Sequence, residues 1–422
     1  MRIKEIYRGN TPPRDTDSVW IRGKEILLFT NEGWVNVNES TVVDTELDPE
    51  SNHPIANSAV ASSLDDLEEA INETLGQAET QLSETSDNLI KNKAVYNQYM
   101  NEDDTDEVLV IIDPSKEREI YAKKYVTLTL KSAGKLYKPS YSGTNAKLYY
   151  SMDDGNTWTL FTSTVDNIPS GTKVLLKGEN ITKFTTRLYT YDTVFDLSGN
   201  ILSLFYGDNF RSATNLPGSY ACENLFSQTK VEDASKLILP EAAVPEYGYH
   251  ATFKWCNTMT QAPILPATTV GDRGYCEMFS MCSVLTTAPI IEATSLGKSA
   301  CSQMFYNCTN LVNAPVLKAT FNTGPITSYE GVYSHMFEGC SALVKAPDLI
   351  STVIPEYGYD SMFKNCTSLN YIKCLATNNT WQAATSYWVF GVAQYGTFVK
   401  ASEVNWNTGL SGIPTGWTVE SV

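Results

Sequence analysis

Between residues 250 and 370 the chain repeats itself on a nearly fixed count. MFSMCSVLTTAP (278–289), MFYNCTNLVNAP (304–315) and MFEGCSALVKAP (336–347) are variants of one phrase. Its Phe recurs at Phe253, Phe279, Phe305, Phe337 and Phe363, at intervals of 26, 26, 32 and 26 residues. Three residues on comes Cys256, Cys282, Cys308, Cys340 or Cys366, and three further Met259, Leu285, Leu311, Leu343 or Leu369. Four copies continue into Ala-Pro, from Ala262-Pro263 to Ala346-Pro347, and then to Leu265, Ile291, Leu317 or Leu349. Tyr249, Tyr275, Tyr333 and Tyr359 lie four residues before the Phe, Cys301 takes that slot once, and an incomplete copy precedes at Phe226. A unit this short cannot bury its apolar side alone, so such units must stack into a solenoid with one continuous core. The spacing Phe-x-x-Cys-x-x-Leu predicts three apolar groups on one face of a short helix, and Leu-x-x-Ala-Pro-x-Leu predicts a turn into a short strand.

The recurring cysteine has four readings: metal ligand, disulfide partner, nucleophile or small buried hydrophobe. Each repeat carries it once in the Phe-x-x-Cys slot and never as a pair at metal spacing, and nine cysteines in the chain is an odd number. The opening MRIKEIYRGN lacks the apolar stretch of a signal peptide, so the general secretory route and a disulfide framework are not expected. Core packing is the reading that fits. The expected repeat core is therefore Phe253, Cys256, Phe279, Cys282, Leu285, Phe305, Cys308, Leu311, Phe337, Cys340, Leu343, Phe363, Cys366 and Leu369, with its thiols free and metal-free.

Chemistry is sparse elsewhere. Lys and Arg number 31 against 48 Asp and Glu, a formal charge of -17, and no basic run exists to track a phosphate backbone, which argues against nucleic acid. The three histidines, His53, His250 and His335, are far apart in sequence, which disfavours zinc catalysis and a Ser-His-Asp arrangement. No apolar run reaches the ~20 residues of a membrane helix. Neither catalytic residues nor a metal or cofactor is expected. The acidic NEDDTDE (101–107) lacks the ligand spacing and Gly of a calcium loop and reads as a solvated linker.

In the front half, residues 17–38 alternate apolar and polar around Gly23 and Gly33, which predicts a small antiparallel sheet. Val60, Leu64, Leu67, Ile71, Leu75, Ala78, Leu82, Thr85 and Leu89 then follow at steps of three and four, a heptad seam with one stutter between Ile71 and Leu75. That seam predicts a coiled-coil stalk and a homotrimer. Residues 101–215 hold runs such as YVTLTLKS, AKLYYS and TKVLLKG that read as β, and SMDDGNTW (151–158) fits the Asp-box pattern Ser-x-Asp-x-Gly-x-Thr-Trp, read as a hairpin turn. The expected fold is thus multidomain: a β attachment region (1–57), a trimeric helical coiled coil (58–100), a β-rich neck (101–215), an α/β repeat solenoid (216–374) and a carboxyl-terminal cap (375–422).

The phrase MFxxCxxLxxAPxLxAT resembles the BspA-like leucine-rich repeats of Bacteroidetes surface proteins and their phages. FDLSGNILSLFYGDNF (195–210) and SYWVFGVAQYGTFVKA through TGLSGIPTGWTVE (386–420) resemble the segments flanking such repeats. VDTELDPESNHPIAN resembles an element of phage fibres seen before a trimeric coiled coil, and the opening MRIKEIYRGNTPPRDTDSVWI is similar to the start of structural proteins of Bacteroides phages, including the crAss-like group. The resemblance implies adhesion from a virion: a head fibre, with a tail fibre as the alternative, and a polysaccharide-cleaving tailspike or a bacterial surface adhesin behind. It implies partners in a capsid or other virion protein at the amino end and in a host-surface glycan or protein at the other. A ligand face should use positions that differ between copies. Lys254 and Trp255 align with Ser280 and Met281, with Tyr306 and Asn307, with Glu338 and Gly339, and with Lys364 and Asn365, so Trp255, Tyr306, Lys254 and Lys364 are its candidates.

Overall fold

The computed structural model describes residues 5–8, 18–22, 25–30, 33–36 and 114–422, the last apart from 189, 191–192, 322–329, 378–382 and 403. The chain divides into two compact units, Met1–Ile120 and Tyr121–Val422. In the first, β1 (Glu5–Arg8), β2 (Ser18–Arg22), β3 (Glu25–Thr30) and β4 (Gly33–Asn36) form one sheet in chain order. β2, β3 and β4 are the antiparallel meander that the alternation predicts, whereas β1 adds in parallel to β2, with Glu5 opposite Ser18 and Arg8 opposite Ile21.

The helical part of the expected fold class is corrected. Among the described residues the structure is built mostly of strands and turns, with only two short α-helices, α1 (Pro114–Ala122) and α2 (Ser203–Tyr206), and no long coiled coil. The seam residues Val60, Leu64, Leu67, Ile71, Leu75, Ala78, Leu82 and Leu89 lie outside the described residues, as do NEDDTDE and His53. The expectation of a homotrimer rested on that seam and is not carried further.

The second unit begins with a six-stranded sheet. β5 (Val126–Leu130), β8 (Lys147–Ser151), β9 (Thr159–Leu160), β11 (Lys173–Glu179), β13 (Phe195–Asn200) and β14 (Lys236–Ile238) pair in the order β14-β13-β5-β11-β8-β9. Val126, Leu128 and Leu130 of β5 and Val174 and Leu176 of β11 point alternate side chains into the core, as a strand with one covered face must. Two small pairs flank it, β6 (Gly134–Leu136) with β10 (Val165–Ile168) and β7 (Tyr141–Ser142) with β12 (Lys183–Phe184). SMDDGNTW is the β8 to β9 hairpin. Asp153 accepts from the Thr157 N–H at 2.9 Å and the Thr157 hydroxyl at 2.6 Å, while the Gly155 N–H donates to Ser151 Oγ at 2.9 Å. Gly155 takes φ +90, a conformation L side chains rarely adopt, so glycine is needed there.

The parallel pairing of β13 with β14 carries the sheet into the solenoid, so neck and repeats share one hydrophobic core. The repeats stack as parallel coils. β15 (Thr269–Val270) and β16 (Ser295–Leu296), with bridges such as Leu265 to Ile291 and Lys345 to Tyr371, mark their strand side. β17 (Tyr371–Cys374), β18 (Thr397–Lys400) and β19 (Thr418–Ser421) close the stack as a parallel sheet. Trp388 seals it, stacked 6.2 Å from Tyr359 and donating its indole N–H to the Gly412 carbonyl at 2.8 Å.

The Phe-x-x-Cys stretch is a second correction: it is a column of turns, not a helix. One residue in four is left-handed, as in Tyr247, Ala251 and Trp255, in Arg273, Glu277 and Met281, and in Ser299, Gln303 and Asn307. Alternate N–H groups bond within the coil, as from Cys256 to the Phe253 carbonyl at 3.1 Å. Those between them reach the next coil, as from Phe253 to Met278 at 2.9 Å and from Trp255 to Ser280 at 2.8 Å. A helix would spend every N–H on its own turn, whereas this column satisfies the backbone and ties each coil to its neighbour. Left-handed L-residues cost ~1–2 kcal/mol each, which the inter-coil bonds offset.

Candidate binding face

The column exposes one side and buries the other. On the buried side Phe226, Phe253, Phe279, Phe305, Phe337 and Phe363 form a ladder with ring centroids 5.6–5.8 Å apart and planes within 14° of parallel. Beside them Cys256, Cys282, Cys308, Cys340 and Cys366 are wholly buried, as are Leu285, Leu311, Leu343 and Leu369. Each thiol donates to the Phe carbonyl of the preceding coil. Cys282 reaches Phe253 at 3.2 Å, Cys308 reaches Phe279 at 3.1 Å, and Cys366 reaches Phe337 at 3.0 Å. That carbonyl already accepts from its own coil, so the sulfur occupies its second lone pair, which Ala or Val cannot do. Burial raises these thiols, Cys256 to about 11 and Cys308 to about 12, and all nine cysteines of the chain are free.

On the exposed side two ionic clusters sit between coils. In the first, His250 Nδ1 lies 3.1 Å from Glu223 Oε1 in the coil before and Nε2 lies 3.7 Å from Glu277 Oε1 in the coil after, while Lys254 pairs with Glu277 Oε2. Burial opposes the charge on His250, yet hydrogen bonds to Cys276 and Glu277 outweigh it and raise its pKa to about 10. The His250 hydrogen bond, aided by Lys254, holds Glu277 down to about 2. In the second, His335 contacts Glu338 and lies 3.2 Å from Asp360, and Lys364 lies 2.9 Å from Glu338. The Asp360 hydrogen bond raises His335 against its burial.

Of the four candidate face residues, Lys254 and Lys364 are thus engaged by carboxylates. Trp255 is 42% exposed and held left-handed, and Tyr306 is half-buried. Two corners before Trp255, Tyr247 stacks on Tyr220 of the preceding coil at 4.6 Å, and the Arg273 guanidinium lies 5.4 Å from its ring. Reading the repeats for identity alone missed Glu223, His250, Glu277, Glu338 and Asp360. The signal was there in the differences, because opposite charges stand in consecutive copies: Glu338 and Lys364 share the slot after the Phe, and Lys254 in that slot is followed by Glu277 two residues before the next Phe.

Away from the column, Lys177 is buried but paired with Asp208 at 2.9 Å and capped by Trp158, 4.4 Å from the ring centroid. Tyr125 donates to the same Asp208, and burial pushes its phenol up to about 12. This is a satisfied structural cluster. No helix among the described residues is long and apolar enough to cross a membrane. Comparison with protein families, with curated proteins and with solved structures finds no match to this chain.

Proposed function

We propose that the chain is a structural protein of a phage virion, a head fibre whose solenoid meets the host surface or its glycans, and that it is not an enzyme. The observation that carries the reading is the division of labour within each coil. The Phe and Cys slots hardly change, while the adjoining left-handed corner passes from Trp255 to Met281, Asn307, Gly339 and Asn365. A fixed core under a variable surface is what a recognition solenoid requires, and its tolerance of change at the corners costs the core nothing. Trp255 offers a partly exposed flat face on which a sugar ring can stack, whereas Tyr247 lies between Tyr220 and the Arg273 guanidinium and Lys183 lies over the Tyr220 ring. In this reading residues 1–57 dock on a capsid or other virion protein and the solenoid end is presented to cells.

The test has two arms. Gold-labelled antibody to the solenoid should decorate the capsid of intact particles; label confined to the tail would make the protein a tail fibre, and unlabelled particles would overturn the virion assignment. Trp255→Ala should weaken binding to host cells or their purified capsule at least about tenfold, the worth of 1.4 kcal/mol. Undiminished binding would remove this face from consideration, and release of oligosaccharide from capsule would contradict the non-enzymatic reading.

A further inference from the structure

Eight of the nine cysteines belong to the hydrophobic core, and Cys276 does not. It is buried, 6% exposed, but occupies the slot that His250, Ser302, Ser334 and Asp360 fill in other coils. A nitrogen of His250, the Cys276 Sγ and a carboxylate oxygen of Glu277 all lie within 4.8 Å of one another. We propose that His250, Cys276 and Glu277 are a binding site for a zinc-class divalent cation that staples one coil of the solenoid to the next.

The geometry is close to what such an ion needs. Tetrahedral zinc with bonds of about 2.0 Å to N and O and about 2.3 Å to S holds its ligand atoms roughly 3.3–3.7 Å apart. His250 Nε2 and Glu277 Oε1 are already 3.7 Å apart, so closure asks for a movement of about an ångström at most. The outer contacts leave the right atoms free. Glu223 Oε1 sits 3.1 Å from His250 Nδ1, so when an entering ion displaces the Nε2 proton of the imidazolium the remaining ring proton is held at Nδ1 and Nε2 can ligate, the carboxylate–histidine relay that supports metal ligands. Lys254 takes Glu277 Oε2 and leaves Oε1. A thiolate, an imidazole and one carboxylate select zinc or cobalt over magnesium or calcium. Three protein ligands leave a fourth position to water, and the thiol proton with any imidazolium proton passes to solvent as the ion enters. Backbone bonds fix both coils beforehand, among them Ala251 N–H to the Cys276 carbonyl at 2.9 Å. The second cluster, His335 with Glu338 and Asp360, contains no cysteine and serves as an internal control.

The experiment titrates chelator-treated full-length protein with Co²⁺ alone. The expected result is one ion per chain, a near-ultraviolet thiolate-to-cobalt band, displacement by Zn²⁺, and a rise in Tm with Zn²⁺. Cys276→Ser should lose the band and the rise in Tm, Glu223→Gln should weaken binding by about 10–100-fold, and His335→Ala should bind as the parent does. Absence of the band in the parent, or unchanged affinity in Cys276→Ser, overturns the proposal. Should Cys276→Ser fail to fold, Zn²⁺ protection of the Cys276 thiol from alkylation in the parent decides: slower labelling supports the site, and labelling unaffected by zinc overturns it.

Discussion

At the scale of single residues, the cysteine ladder explains why a thiol rather than an alanine recurs. Cys308 fills a small apolar space and supplies a weak donor to the Phe279 carbonyl, so Cys308→Ala removes both. The expected loss is about 1–2 kcal/mol, read as a lower denaturant midpoint at unchanged slope. A Cys308→Ala protein as stable as the parent would mean that neither the volume of the sulfur nor its hydrogen bond contributes. Because burial keeps this thiol protonated and out of reach, it should label with alkylating reagents only on unfolding. Gly339 illustrates the opposite side of the column. It has φ +78, and an added Cβ would stand 1.9 Å from Asn307 Oδ1, so Gly339→Ala should cost about 1–2 kcal/mol, checked by the same denaturation. The burial of Phe and Cys was legible from their period. The left-handed corners were legible only in part, because Asn307, Gly339 and Asn365 are types that favour positive φ whereas Trp255 and Met281 in the same slot are not.

At the scale of the coil, the Phe ladder and the ionic clusters work on opposite sides of one column. Phe305 has a ring neighbour above and below, Phe279 at 5.7 Å and Phe337 at 5.6 Å, so Phe305→Ala should cost about 3–5 kcal/mol and lower Tm measurably. The exposed side gives a pH dependence. The carboxylates of Asp360 and Glu338 face His335, and Lys364 shares Glu338. With its folded pKa raised above the unfolded value of about 6.5, His335 contributes stability fully present below pH 6.5 and lost as pH rises through the raised pKa. The His335 ring signal in NMR should therefore titrate with a midpoint above 6.5, and His335→Gln should flatten the fall in stability between neutral and alkaline pH; a midpoint at or below 6.5 would contradict the pairing. A spacing of three between Phe, Cys and Leu fits one face of a helix and also fits consecutive turns. Side-chain periodicity reports which groups are buried, not where the backbone N–H groups go, and that is why the expected short helix gave way to an inter-coil ladder.

For the whole molecule, the stacking of repeats and the β-rich region before them were legible because both are written in local apolar patterns. Their fusion was not, since it depends on the parallel pairing of β13 with β14 and on Phe195 meeting Val231, contacts that no local pattern announces. The helical fold class expected from the heptad seam is corrected for the described residues, which are mostly strand and turn; the seam itself lies outside them. The division after Ile120 yields the last prediction. A chain of residues 114–422 should fold alone and melt as cooperatively as the full protein, because its sheet, its column and its closing strands share one core. A cut at 216 instead would strip β13 from β14 and uncover the Phe226 end of the ladder, so residues 216–422 should aggregate or melt well below residues 114–422 in calorimetry. If the proposed polarity holds, the 114–422 protein will bind host cells but fail to join particles in complementation of a deletion phage. Incorporation of that truncated protein, with loss of incorporation when 216–422 is removed from the full chain, would place the docking element at the solenoid end.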